Sequence, residues 1–195
     1  VFGILFDGCA IVNFPRSQVN MLGEVFEITF RRTTVDDKDR GSVVTGDLVT
    51  GDAVGTKSNI TFDNCFMSIY TAGLWCVDLV ANDVRFLGGT VVPNASGATG
   101  SNGIRVSGGL WLYGTHLEGP STSSTVSIGI NYLGSGGAFI SPSGCSLFGI
   151  GVQIGDGTAS SSRGWVIAGN VGNFNAGGNG DVWITAGGSR IGTIL

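Results

Sequence analysis

The feature that most constrains this chain is an internal repeat. A tetrad of glycine, branched aliphatic, any residue and apolar residue recurs five times: Gly3-Ile4-Leu5-Phe6, Gly73-Leu74-Trp75-Cys76, Gly103-Ile104-Arg105-Val106, Gly129-Ile130-Asn131-Tyr132 and Gly151-Val152-Gln153-Ile154. A second marker, apolar-x-Gly, follows at Met21-Leu22-Gly23, Phe86-Leu87-Gly88, Leu117-Glu118-Gly119 and Leu147-Phe148-Gly149, with Phe174-Asn175-Ala176 as a degenerate copy. Recurrence at 20–50 residues is the mark of a stacked-repeat architecture. Runs such as Ile60-Thr61-Phe62 and Leu110-Trp111-Leu112 alternate with period two, which specifies strands, and Gly, Asn, Asp and Ser between them specify turns. No capped 3.6-residue stripe stands out, so helix content should be low.

Short strands in glycine-cornered coils predict an all-β, right-handed parallel β-helix of about five to six coils, stacked ~4.8 Å apart. Alternation within each tetrad then places Ile4, Leu74, Ile104, Ile130 and Val152 in one inward ladder. A β-sandwich or jelly roll ranks second, because it gives no reason for markers to recur in register. The chain is expected to be a single β-helix domain over 1–195, cut from a longer protein. Residues 31–58 break the period, and the Arg31 to Arg40 segment carries 7 of the 24 charges. That stretch is expected to form a polar loop or hairpin insertion.

Composition excludes several functions. Charged residues are only 12% of the chain and the net charge is −4, which argues against nucleic acid as a partner. No apolar run is long enough for a membrane helix, so no membrane insertion is expected. Four cysteines lie at irregular spacing, without CxxC pairs or nearby histidines, and read as free, mostly buried thiols. Gly51 to Ser58 imitates a phosphate-binding loop, but its glycine spacing is wrong and a strand pattern follows where a helix is required. Gly177 to Asp181 resembles a single calcium-binding β-roll repeat with a misplaced aspartate, so neither a metal nor a cofactor is expected.

The third residue of each tetrad should point outward, giving a column of Leu5, Trp75, Arg105, Asn131 and Gln153. An indole covers the apolar face of a pyranose, while amides and a guanidinium bond its hydroxyls. Trp75, Arg105, Asn131 and Gln153 are therefore the candidate carbohydrate-binding residues. Trp111 and Tyr113 should add a second outward aromatic surface. Packing of these aromatics against an identical neighbour is an equal alternative, since oligomer interfaces are enriched in Trp, Tyr and Arg. For catalysis the alternative candidates are Asp83 and Glu118, with Arg85 and His116 beside them, since glycosidases use paired carboxylates. Asp63 with Asp78 is no better supported, and acids on such corners more often bond turn amides.

The segments Gly103-Ile104-Arg105-Val106 through Leu117-Glu118-Gly119, with Asn59-Ile60-Thr61-Phe62-Asp63-Asn64-Cys65, resemble the β-helices of bacteriophage tailspikes and tail fibres, of the broad pectin-lyase-like kind. This resemblance implies a homotrimer on a virion tail appendage, or otherwise an extracellular protein. It also implies contact with other virion tail proteins, and binding of bacterial surface polysaccharide. The alternatives are a polysaccharide-depolymerising lyase or glycoside hydrolase domain, and a bacterial β-helix adhesin.

Overall fold

A computed structural model describes residues 1–14, 16–37, 46–94, 100–119, 127–134, 136–146, 149–155, 163–169, 180–184 and 191–195. Within these residues all regular structure is strand, in 19 segments that pair in parallel throughout. They stack as a parallel β-solenoid of about five turns. One sheet has six strands; the other has 13 and splits into two arms. The split is visible at Asn102–Tyr113, whose first half pairs Ser127–Tyr132 and whose second half pairs Ala138–Ser141. The column thus has three sides.

Two inward ladders of apolar residues fill the larger sheet. One runs Ile4, Ile28, Ile60, Val84, Leu110, Ala138 and Trp165. The other runs Val49, Val77, Ile104, Ile130, Val152 and Val182. The single ladder expected from the tetrads is therefore corrected. Ile104, Ile130 and Val152 do stack, but Ile4 belongs to the other arm. Leu74 lies three positions before Val77, the residue that faces Ile104.

The first arm climbs by 24, 32, 24, 26, 28 and 27 residues per rung. Beside it Phe6, Phe30, Phe62 and Phe86 stack face to face at centroid separations of 4.9, 5.1 and 4.7 Å. The smaller sheet adds Ile11, Val35, Met67, Val91, Leu117 and Cys145 to the core.

Corners are made by residues of positive φ stacked one above another. Gly8, Arg32, Asn64, Gly88 and Gly114 each follow a paired strand end and adopt φ between 48° and 69°. At the bend between the two arms the same conformation is held by Gly3, Glu27, Asn59 and Asp83, and again by Gly137 and Gly164. Non-glycine residues in that region cost roughly 1–2 kcal/mol each, least for Asn and Asp. Arg32 is held by its guanidinium, which donates to the Asp7 carboxylate one rung away at 2.7 and 2.9 Å.

The 31–58 stretch contributes strands to the stack as well as a connection. Thr34–Asp36 joins the smaller sheet, Val49–Gly51 joins the larger, and Lys57–Asp63 begins a full rung. Residues 38–45 lie outside the described residues, as do Phe174-Asn175-Ala176 and most of the β-roll-like segment. Lys57 opens a strand, so the phosphate-loop imitation is only that. Its side chain is fully buried, and Nζ donates to Asp52 Oδ1 at 2.5 Å, Gly23 O at 3.1 Å and Val54 O at 2.8 Å.

The bond from Lys57, with a further one from the Gly23 amide, holds the Asp52 carboxyl below its ordinary pKa. A depressed carboxylate contributes stability that is fully present above the unfolded pKa of ~3.9 and lost as pH falls through the folded value. Asp52→Asn should therefore flatten the acid limb of the stability profile below about pH 4, measured by denaturant titration at several pH values.

Candidate functional site

The expected carbohydrate column is partly assembled and is not an open face. Arg105, Asn131 and Gln153 stack in register on one arm, with Asp78 and Thr50 on the preceding rungs. Trp75 pairs with Asn102 and is only 5% exposed, so it offers no free indole face. The physical reason is cover: Trp75 is not part of the apolar core, and the Arg105 guanidinium lies over its ring. Leu5 is exposed but sits on the other arm, beside Thr29.

What Trp75 and Arg105 build is a closed polar knot. The Arg105 guanidinium lies 4.9 Å from the Trp75 ring centroid and donates to Asp78 at 2.8 and 2.5 Å. The Trp75 amide donates to Asp47 Oδ1 at 2.7 Å, and burial raises the Asp47 pKa. Asn131 is buried, and its Oδ1 has no hydrogen-bond partner among the described residues. Gln153 is half-buried.

The catalytic alternatives are not brought together. Glu118 is exposed on the smaller sheet, in register with Ser146, whereas Asp83 lies at the bend of the larger one. His116 is half-buried beside Thr90, on the same sheet as Glu118. Asp63 and Asp78 each hold an arginine on different arms, Arg31 and Arg105 respectively.

An open site does exist on the first arm. Trp111 faces outward between Arg85 and Phe139, and Tyr113 faces outward beside Leu87. Trp111 is 54% exposed, Tyr113 66% and Leu87 43%. Trp111 and Phe139 stack at 6.4 Å with 28° between ring planes. Beside the indole lies a shallow groove of about 690 Å³, lined by Asn82, Asp83, Arg85, Leu87, Gly109, Trp111 and Gly136.

The local sequence explains the groove. Arg85 and Asp83 are two residues apart on one strand, so both side chains lie on the outer surface. There the guanidinium donates to the carboxylate at 3.0 and 2.5 Å. Gly109 and Gly136 put no side chain into the floor, because their backbones pack against neighbouring rungs. A Cβ on Gly109 would lie 3.1 Å from Asp83 N, and one on Gly136 would lie 3.1 Å from Gly109 N. The result is an aromatic wall, a bare peptide floor and one fixed ion pair.

Trp111 and Tyr113 were legible from alternation alone. The sequence also set Arg85 beside Asp83; that the two form an ion pair within one strand follows from their Asp-x-Arg spacing. Among the described residues no group of three or more His, Cys, Asp or Glu side chains could hold a metal. None of the four cysteines forms a disulfide, and Cys65, Cys76 and Cys145 are buried. In comparisons with known proteins, no family model, no curated protein and no solved structure matches this chain.

Proposed function

We propose that the chain is a glycan-binding β-solenoid module, and that the Trp111 groove holds the sugar. The observation that carries this reading is the half-exposed indole of Trp111 beside the bare Gly109–Gly136 floor and the Asp83–Arg85 pair. A pyranose ring laid on the indole leaves its hydroxyls facing a fixed carboxylate and guanidinium. Among the described residues one carboxylate lines the groove, whereas glycoside hydrolysis ordinarily uses two, which favours binding without bond cleavage.

The wider setting follows from the coil resemblance. The module would be part of a virion tail appendage that attaches to bacterial surface polysaccharide. It would assemble as a homotrimer, in contact with other tail proteins. Leu87 and Tyr113, exposed beside the groove, suit the covered flank of such a trimer.

Trp111→Ala should weaken binding to the recognised polysaccharide by about 1–3 kcal/mol. Isothermal titration against purified capsule and lipopolysaccharide fractions measures this, and light scattering follows the oligomer. Unchanged binding with a split oligomer would make Trp111 an interface residue and overturn the reading.

A further inference from the structure

We infer that the Trp111 groove selects uncharged sugar residues over uronic acids and other acidic sugars. This rests on the glycan reading of the groove and adds the class of sugar to it. Among the described residues Arg85 is the cation that lines the groove, and an acidic polymer would need it. Its guanidinium is already occupied from within its own strand, with Nε donating to Asp83 Oδ1 and Nη2 to Asp83 Oδ2. This paired geometry fixes both groups and cancels their charge. A sugar carboxylate approaching the remaining Arg85 N–H groups would also meet the Asp83 carboxylate, and like charges at such range repel. A hydroxyl meets no such conflict, because it accepts from the guanidinium and donates to the carboxylate.

Asp83 is poorly placed to move aside. Its backbone is held at φ 61° in the stacked bend, between neighbouring rungs, so its carboxylate stays at the lip of the groove. Drawn toward Asp83, Arg85 leaves the Trp111 ring to the ligand. Arg105, by contrast, lies over Trp75 and covers it. A chain net charge of −4 adds a weak general repulsion of the same sign.

The test is a charge swap that leaves the bend intact. Asp83→Asn removes the charge with a residue that tolerates the left-handed region, as Asn59 does on the adjacent rung at φ 55°. Binding of the full chain is measured by affinity electrophoresis against dextran and galactomannan, and against polygalacturonate and hyaluronate. Unaltered protein should hold a neutral polymer at least about fivefold more tightly than either acidic one, the effect of one exposed charge interaction. Asp83→Asn should improve binding of an acidic polymer roughly five- to tenfold. Adding Arg85→Gln to that variant should remove the gain. The inference is overturned if unaltered protein binds polygalacturonate as well as the neutral polymers. It is also overturned if Asp83→Asn leaves the ratio unchanged. Retention of none of the four polymers would overturn the glycan reading itself, a different result from a reversed preference.

Discussion

Phe62→Ala is expected to cost about 3–5 kcal/mol of folding stability, the range for a buried phenylalanine truncated in a packed core. Phe62 is 1% exposed and lies between the parallel rings of Phe30 and Phe86, at 5.1 and 4.7 Å. Removing its ring uncovers one face of each neighbour as well as deleting its own contacts. Backbone pairing with the rungs above and below prevents the cavity from collapsing. The comparison is Phe2→Ala, at 71% exposure on the outermost rung, where the loss should stay below about 1 kcal/mol. Urea denaturation of both variants checks the contrast. Equal losses would mean that the stack contributes little.

The solenoid was legible in the sequence because its two ingredients, period-two strands and small or polar corners, are local. Register was legible only where the repeat is regular. Gly103, Gly129 and Gly151 immediately precede the in-register residues Ile104, Ile130 and Val152, so three tetrads align correctly. Gly3 belongs to the other corner, before Ile4 and in line with Glu27, Asn59 and Asp83. A search for glycine passes over those three residues. They occupy the same left-handed position, and their side chains conceal the repeat. Gly73 is a turn glycine of a third kind, and aligning it with Gly103 shifted the rung by three residues.

Alternation along a strand does not show what covers a side chain. The Arg105 guanidinium lies over the Trp75 ring and Asp47 accepts from its amide, so Trp75 is closed off from solvent. Trp111 and Tyr113 needed no cross-rung alignment. Their exposure follows from Leu110 and Leu112 being buried on either side of Trp111, and the structure leaves both aromatics uncovered. Asp83 was singled out as an acid near the outer face, with Glu118 as its partner and Arg85 and His116 beside them. In the structure it pairs with Arg85 of its own strand, while Glu118 lies on a different sheet.

Gly108→Ala is expected to destabilise the fold by about 2–5 kcal/mol and to distort the groove. Gly108 pairs with Ala81 next to the irregularity where two residues, Asn82 and Asp83, face Gly109 alone. Its φ of 141° is one that side-chain-bearing residues rarely adopt. A Cβ there would fall 1.9 Å from the Ala81 carbonyl oxygen, which is backbone and has no flexible end to swing away. On the next rung Gly134 approaches just as closely, its own added Cβ lying 2.1 Å from Gly108 O. The bend at the groove is therefore a column of peptide packed on peptide, and relief of the clash must move the strand carrying Trp111. Gly114→Ala is the control, because Gly114 has positive φ but open space around it, and should cost only about 1–2 kcal/mol. Denaturation midpoints of the two variants, with dextran binding measured on each, separate loss of packing from loss of conformational freedom. If Gly108→Ala is no worse than Gly114→Ala and binds sugar normally, the peptide floor does not shape the site.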